Sequence, residues 1–389
     1  MKKFDQNNHR YRKIVYENNF EMDVQQETVD EFTYSIDEYF DKSSINFLSE
    51  WFFDETVHKK YTLFAKNPFR VNPTVPTQYA FPDTNIKLNS LIKKFHIKEG
   101  LPRESFITFI SEGSTPMIAA VILFAKQLKF KKILSIWPSY FTIHKICDVI
   151  NMDIVPCNND FACFENTKIN LPNKKSFLII TDPIWSIGRH YSLNILKELA
   201  KWQKRTGSII FVDGSFSYMD WYTKRKKELT VILNPELTMR LVCPTKALCV
   251  HGFRFSYLLC PKRFSKEVAR ISIANTGSSC YFGYLQRERI FKEMTKKRIN
   301  PITHFCVKRF KALEYHFIKN GVKYIEPNCG FFMYADLDEI LKKKGARNKY
   351  YWLNNKALDI WNPKYKGYAK INLLGREKVI NSLITDLSK

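Results

Sequence analysis

Between about residue 105 and residue 260, short apolar runs alternate with segments of helical periodicity, and this alternation constrains the fold more than any other feature. The runs are bounded by turn-forming residues and include FITFIS, KILSI, MDIVPC, SFLIIT, SIIFVD, LVCPT and FSYLLC. Strands of this length separated by helices predict βαβ units and a mostly parallel sheet. Because most of the runs are apolar throughout, we expect helices to cover both faces of that sheet.

The two flanks of this region have a different pattern. The first hundred residues are more polar, with a helical stretch near 28–50 and the proline-punctuated segment VNPTVPTQYAFPD. After about residue 285 a long basic segment of helical character precedes GVKYIEPNCGFFMYADL and a final helix. We predict a large domain over residues 76–285. A smaller α+β domain is expected from the N-terminal segment, 1–75, together with residues 286–389.

The chain is strongly basic, with 62 Lys and Arg against 38 Asp and Glu and a formal net charge of +24 at pH 7. Such a charge can attract nucleic acid, anionic lipid or an acidic protein. The basic residues are spread along the whole chain, however, with only short clusters such as KRKK at 224–227. We therefore favour a lysine-rich solvated surface and expect no nucleic-acid or membrane partner. Nucleic-acid binding stays open as an alternative that rests on charge alone.

Location and redox state follow from what the sequence lacks. No apolar run approaches the roughly 20 residues that a membrane-spanning helix needs, and the N-terminus MKKFDQNNHRYRK lacks the apolar core of a signal peptide. The nine cysteines are scattered and form no C-x-x-C pair, which indicates neither a disulfide framework nor a zinc site. We expect a cytoplasmic protein with reduced core thiols and no metal site.

Ligands of open α/β sheets bind beyond the carboxyl ends of the strands, so the residues that follow the apolar runs are the candidate site. After FITFIS, Gly113 permits close backbone approach, and Ser114 or Thr115 opens a helix whose N-terminus could bind phosphate. The same residues could form only a well-capped helix start. After KILSI, Tyr140 could stack on a flat ligand or pack in the core.

Three charged residues occupy the corresponding places further along the chain. Asp213 ends the run SIIFV, where a buried carboxylate needs a cationic or hydrogen-bonding partner unless it serves as a turn cap. Lys246 follows LVCPT and Arg254 comes eight residues later. A lysine in low-dielectric surroundings has a lowered pKa and can attack carbonyls, although most lysines of this chain belong to the surface.

Together these residues make up a set that pyridoxal phosphate requires. That cofactor needs a lysine that forms a Schiff base with it, an acid that keeps its ring nitrogen protonated, and an anchor for its phosphate. A phosphate-binding helix start, a stacking aromatic, an acid and a lysine with an arginine occur here in this order, each after an apolar run.

Residues 70–380 resemble the class I and II aminotransferases, which are pyridoxal-phosphate enzymes of fold type I. The family pattern S-x-S-K followed by G-x-R-x-G-Y is matched by CPTK at 243–246 and GFRFSY at 252–257. The family's strand-ending aspartate matches Asp213, its P-x-[Y/W] segment matches PSY at 138–140, and its phosphate loop matches residues 113–115. The resemblance implies a seven-stranded type of central sheet covered by helices.

The resemblance also implies roles for these residues. Lys246 is the Schiff-base lysine, Asp213 pairs with the pyridine nitrogen, and Tyr140 stacks on the ring. The phosphate is bound by Arg254 and by the loop and strand-end residues Gly113, Ser114, Thr115 and Thr245. Relatives add a phosphate-binding tyrosine from the neighbouring subunit, for which QYAFPDTNIKL suggests Tyr79 in a homodimer.

Four positions depart from the family pattern. The segment N-P-x-N-P-T-G is DPIWSIG here, so Trp185 replaces the asparagine that bonds the cofactor's phenolic oxygen. Phe216 replaces the tyrosine that bonds the same oxygen, and Cys243 replaces a serine that binds the phosphate. In GYAKINLL, Lys370 stands in place of the arginine that clamps the substrate carboxylate.

These departures change the expected chemistry. Without the two donors to the phenolic oxygen, the protonated Schiff base is favoured unless the Trp185 indole N–H donates instead. Lys370 lacks the planar fork with which arginine binds a carboxylate, and we assign it with Trp185 to substrate binding. The sequence predicts an aminotransferase acting on an amino acid or primary amine. A lyase, decarboxylase or cyclase of specialised biosynthesis and a non-catalytic binding protein stay open as alternatives.

Overall fold

A seven-stranded sheet lies at the centre of the molecule. The computed structural model describes residues 46–49, 86–222, 229–277, 281–296, 301–353, 355 and 358–389. The strands of the central sheet are β2 (Phe106–Ser111), β3 (Lys132–Ser135), β4 (Asp153–Pro156), β5 (Phe177–Thr181), β6 (Ile209–Gly214), β7 (Thr238–Val242) and β8 (Ser256–Pro261). Their spatial order is β2-β8-β7-β6-β5-β3-β4. Strands β3 to β7 run parallel, and β8 is antiparallel to both β2 and β7. The predicted mostly parallel α/β architecture is confirmed.

Both faces of this sheet are buried, as the continuous apolar runs predict. In β6, Ile210 and Val212 pack into one apolar core, while Ile209 and Phe211 pack into a second core. Successive side chains of a strand point to opposite faces, so the two cores lie on opposite sides of the sheet. Strand β6 is therefore apolar throughout until it reaches Asp213.

Ten helices in the described residues cover the sheet and form the rest of the molecule, and the helix after FITFIS begins at Ser114, as the sequence predicts. They are α1 (Ile86–Glu99), α2 (Ser114–Gln127), α3 (Phe141–Val149), α4 (Leu193–Thr206), α5 (Pro244–Ala247), α6 (Ser265–Thr276), α7 (Tyr281–Met294), α8 (Pro301–Lys319), α9 (Asp338–Lys343) and α10 (Glu377–Ser388). Ser192 caps the N-terminus of α4, where its side chain accepts a hydrogen bond from the N–H of Ile195. Gly207, in the left-handed region, caps the C-terminus of this helix.

One strand differs from its prediction. The run LVCPT was expected to form a strand throughout, but β7 ends at Val242 and Cys243 caps the short helix α5. Pro244 accounts for the change, because it has no N–H for the sheet and suits the first position of a helix. Strand β7 also begins earlier, and it includes the buried Arg240, whose charge interrupts the apolar pattern.

The C-terminal part contains its own three-stranded antiparallel sheet, in the order β12-β10-β9. Its strands are β9 (Tyr324–Ile325), β10 (Phe332–Asp336) and β12 (Tyr368–Asn372). A separate parallel pair joins β1 (Asn46–Phe47) to β11 (Tyr350–Tyr351). The predicted helical stretch near 28–50 lies outside the described residues except for 46–49, which form β1 and a turn. The predicted domain boundaries at residues 75 and 285 stay a prediction.

All eight cysteines in the described ranges are buried free thiols. None of the helices described reaches the length and apolarity that crossing a membrane requires.

Candidate active site

Lys246 lies in the short helix α5, directly after strand β7, and its side chain reaches two aromatic rings. Its Nζ is 5.1 Å from the ring centroid of Tyr140 and 4.7 Å from that of Phe216. Tyr140 precedes α3, after strand β3, and Phe216 follows β6. The structure thus brings together residues from three strand ends, as the sequence predicts for ligand sites of open sheets.

Asp213 lies at the carboxyl end of β6, next to Leu241 of strand β7. Its side chain is buried, and the N–H and the hydroxyl of Ser215 both donate to Oδ1, at 3.1 and 2.5 Å. These bonds fix the orientation of the carboxyl group. Sequence analysis missed Ser215, although a serine two residues after an aspartate is a common local partner.

Burial shifts the pKa values of Asp213 and Lys246 toward their uncharged forms. Burial raises the pKa of Asp213, against the opposing effects of Lys246 and of the bonds from Ser215. Burial lowers the pKa of Lys246, and the nearby Arg254 lowers it further, while Cys243 and Asp213 oppose this. The lowered pKa of Lys246 increases the fraction of uncharged amine, which is the nucleophilic form.

Gly113 and Arg254 form a close contact at the N-terminus of α2. Gly113 has φ 84° and ψ 177°, a conformation essentially restricted to glycine. A Cβ atom on Gly113 would lie 2.7 Å from a terminal nitrogen of Arg254, so any other residue would displace the guanidinium from this position. That guanidinium is exposed and donates to the carbonyl of Glu112 at 3.4 Å. A cation thus lies beside the helix N-terminus, where anions are favoured.

The residues around this loop are held by hydrogen bonds to the backbone. The hydroxyl of Ser256 donates to the carbonyl of Gly113 at 2.7 Å. Thr245 Oγ1 and Cys243 Sγ both donate to the carbonyl of Phe255, at 3.2 and 3.5 Å. Ser256 occupies the second glycine position of G-x-R-x-G-Y, and sequence analysis did not single it out. In the first turn of α2, Ser114 is buried and Thr115 is half-buried.

Lys370 and Trp185 also lie together. Lys370 in β12 is fully buried, and its Nζ is 4.8 Å from the ring centroid of Trp185 and 4.4 Å from that of Phe332 in β10. Trp185 meets the Tyr140 ring edge-on, with the centroids 6.0 Å apart. Aromatic contacts therefore connect Lys370 to the surroundings of Lys246. Phe332 was missed because its apolar run resembles any core strand.

One predicted residue cannot be placed, because Tyr79 lies outside the described residues. The remaining predicted residues form two groups that meet at Tyr140 and Lys246. Arg254 contacts the helix start at Gly113, and Cys243 and Thr245 contact the neighbouring Phe255. Trp185 and Lys370 lie on the side of the C-terminal sheet.

Comparisons with known proteins show the family to which the chain belongs. Residues 76–377 match the family described as aminotransferase class I and II, and the chain belongs to this family. A probable aspartate/prephenate aminotransferase of Aquifex aeolicus is 22% identical over 189 residues, and the match spans about half of each protein, 47%.

Solved structures share the fold at low sequence identity. A mutant aspartate aminotransferase of Thermus thermophilus is 14% identical, with a TM-score of 0.70, and the match covers 100% of this chain and 99% of the other. Cystalysin of Treponema denticola, whose structure contains pyridoxal 5'-phosphate, is also 14% identical, with a TM-score of 0.65 and coverage of 89% and 90%. These likenesses establish a fold of type I.

Proposed function

We propose that this protein is a pyridoxal-phosphate-dependent aminotransferase that acts on an amino acid or another primary amine through Lys246. The observation that carries the proposal is the environment of Lys246, whose amine lies between two aromatic rings and has a pKa lowered by burial. Such an amine can react with an aldehyde at neutral pH. Membership of the aminotransferase family supports the same reaction class.

The donor set around Lys246 fits pyridoxal phosphate. The guanidinium of Arg254 lies against Gly113 at the N-terminus of α2, and a cation beside a helix N-terminus suits a phosphate dianion. We assign the phosphate to these groups with Ser114 and Thr115, and to the neighbouring Cys243 and Thr245. Asp213, held by its neighbour in the turn, suits a protonated ring nitrogen.

The bound cofactor would supply a ring that accepts the electron pair of a bond broken at the substrate's α-carbon. In its uncharged form, Lys246 Nζ can accept the proton from that carbon. Tyr140 limits the position of this amine from one side and Phe216 from another. In its ionised form, Asp213 would keep a proton on the ring nitrogen.

The substrate side of the site differs from the family pattern, and this supports an unusual substrate preference. We assign the substrate carboxylate to Lys370, which can offer a point charge but no bidentate fork. The Trp185 and Phe332 rings flank this ammonium and limit the space beside it. Their apolar surfaces favour a substrate with an apolar portion next to its carboxylate.

We further propose a cytoplasmic homodimer that serves biosynthesis. The family resemblance at Tyr79 supports the dimer, since relatives complete their phosphate site with a tyrosine of the neighbouring subunit. Size-exclusion chromatography with light scattering would test this directly, and a monomer at micromolar concentration would contradict it.

The central experiment is to load the purified protein with pyridoxal phosphate and reduce it with borohydride. We expect a visible absorption band and, after reduction, cofactor mass on the peptide that contains Lys246. Lys246→Arg is the matched control, because arginine has a long nitrogen-bearing side chain but cannot form the bond. The proposal fails if the wild-type protein takes up no cofactor, or if the cofactor attaches equally well to the variant.

The reaction type is tested by single turnover with a panel of amino acids and amines. An aminotransferase yields one equivalent of oxo acid or aldehyde per site, leaves the cofactor in its amine form, and needs an acceptor oxo acid to continue. A lyase or decarboxylase would turn over repeatedly without an acceptor, and this result would replace the proposed reaction.

A further inference from the structure

A buried polar cluster lies beside the candidate active site and is formed by Ser139, His144 and Asp359. The backbone N–H and the hydroxyl of Ser139 both donate to Asp359 Oδ2, at 2.8 and 2.6 Å. His144 Nε2 lies 3.1 Å from the same carboxylate oxygen and 2.8 Å from the Ser139 hydroxyl oxygen. On the other carboxylate oxygen, Oδ1, the indole N–H of Trp361 donates at 2.7 Å.

The geometry excludes a nucleophilic serine, although a serine, a histidine and an aspartate are present. Ser139 is 0% exposed, so no substrate can reach its hydroxyl. Its hydroxyl donates to the carboxylate rather than to the imidazole, whereas a nucleophilic serine needs the histidine as its base. The cluster therefore holds structure in place rather than performing chemistry on a substrate.

What the cluster holds is the segment that carries Tyr140. Ser139 directly precedes Tyr140, and His144 lies in the first turns of α3, which begins immediately after Tyr140. Asp359 lies 220 residues further along the chain. The carboxylate thus fixes the backbone on one side of Tyr140 and the helix on the other.

Asp359 is suited to this task by its charge and its backbone. Burial opposes ionisation of Asp359, but His144 and the bonds from Ser139 outweigh it and lower the pKa of this carboxyl. Hydrogen bonds to an ionised group are shorter and stronger than neutral ones. Asp359 also has φ 57°, a left-handed conformation that aspartate and asparagine adopt more readily than other residues with side chains.

We propose that Asp359 is a positioning residue, which fixes Tyr140 against Lys246 by holding Ser139 and His144 from the C-terminal part of the chain. The inference rests on the proposed function to the extent that Tyr140 contacts the cofactor. The hydrogen bonds between Asp359 and the segment that carries Tyr140 do not depend on a cofactor. The positioning role of Asp359 and the proposed function can therefore be tested separately.

The test compares Asp359→Asn with Asp160→Asn. Asparagine accepts the left-handed backbone at position 359 but removes the charge and turns one acceptor into a donor. Asp160 is the control, because it also joins this region to the C-terminal part, through the hydroxyl of Tyr365 at 2.6 Å, without contact to Ser139. Ser139→Ala is the second variant, and it replaces Asp359→Asn if that protein does not fold.

Two measurements are made on each variant. In the protein without cofactor, hydrogen exchange of residues 138–144 should become at least tenfold faster in Asp359→Asn and stay unchanged in Asp160→Asn. In the protein with cofactor, the dissociation constant of pyridoxal phosphate should rise about tenfold in Asp359→Asn, the scale of one lost charged hydrogen bond. The same substitution should have no further effect in a Tyr140→Ala background.

The outcomes distinguish a failure of the positioning role of Asp359 from a failure of the proposed function. Unchanged exchange in Asp359→Asn overturns the positioning role whether or not the protein binds a cofactor. A loss of affinity that persists in Tyr140→Ala, or that Asp160→Asn reproduces, also overturns it. If the wild-type protein binds no cofactor at Lys246, the proposed function fails, and the exchange measurement alone decides the role of Asp359.

Discussion

The contact between Gly113 and Arg254 gives a prediction that can be worked out from the structure. In Gly113→Ala, the new Cβ would lie 2.7 Å from a terminal nitrogen of the guanidinium and 2.9 Å from its central carbon, Cζ. Both distances are shorter than Cβ contacts in proteins, so the arginine side chain must move. Arg254 already has a left-handed backbone, with φ 46°, and we expect the side chain rather than the backbone to shift.

The size of the effect has two parts. Alanine at φ 84° and ψ 177° costs on the order of 1–3 kcal/mol of folding stability. Displacing the guanidinium from a bound phosphate removes a charge-assisted hydrogen bond of about 1.5–3 kcal/mol. The second part corresponds to a loss of roughly 10- to 100-fold in affinity for a phosphorylated ligand.

The assay compares binding of pyridoxal phosphate with binding of pyridoxal, which lacks the phosphate. Gly113→Ala should weaken binding of pyridoxal phosphate and leave binding of pyridoxal nearly unchanged. Gly207→Ala is the control, because Gly207 is also left-handed, at φ 65°, but its Cβ would meet no atom within 4 Å. That variant should lose about 1–2 kcal/mol of stability and no affinity.

Two results would refute this reasoning. If Gly113→Ala weakens both ligands equally, the loop does not act through the phosphate. If Gly207→Ala weakens pyridoxal phosphate to the same degree, the loss reflects general destabilisation and not the position of Arg254.

Three further predictions concern other parts of the molecule. Phe216→Tyr should lower the pH at which the absorption band of the bound cofactor changes, because a hydroxyl near Lys246 can stabilise the phenolate anion of the cofactor. An unchanged or higher transition pH in a spectral titration would contradict this. Lys370→Met should raise KM for amino acids about tenfold or more without lowering the melting temperature, because removing a buried ammonium offsets the lost contacts; an unchanged KM would remove Lys370 from the substrate site. Burial opposes ionisation of Asp386, but bonds from Lys389, Lys349 and Tyr350 outweigh this effect and lower the pKa of the carboxyl to about 2. Because its folded pKa lies below the unfolded value, the stabilisation is present above about pH 4 and is lost as the pH falls toward 2. Asp386→Asn should therefore cost about 1 kcal/mol at pH 7, because solvent screens the ion pairs with the half-exposed Lys349 and Lys389, and almost nothing near pH 2. Urea denaturation at both pH values checks this.

Local patterns in the sequence were enough to predict the large sheet and the cofactor-binding residues proposed for its edge. The strands of the sheet are four to six residues long and mostly apolar. Asp213 and Lys246 lie where two of the apolar runs end. Parallel strands bring their carboxyl ends to one edge, so position along the chain already implied proximity. Strand β7 differs from its prediction for local reasons as well. Pro244 ends the strand early, and the buried Arg240 interrupts the apolar pattern near its start.

Only the tertiary structure decided which side chains surround those residues. Lys370 meets Trp185 and Phe332 because β12 and β10 pair next to the loop after β5, and nothing in the local sequence of any one of them indicates the other two. The carboxylate that holds the Tyr140 segment comes from Asp359, 220 residues away. A helix or strand imposes a period on the sequence, but a contact between distant segments imposes none. The proposed cofactor anchor could therefore be predicted from the sequence, and the side chains that surround it became visible only in the folded chain.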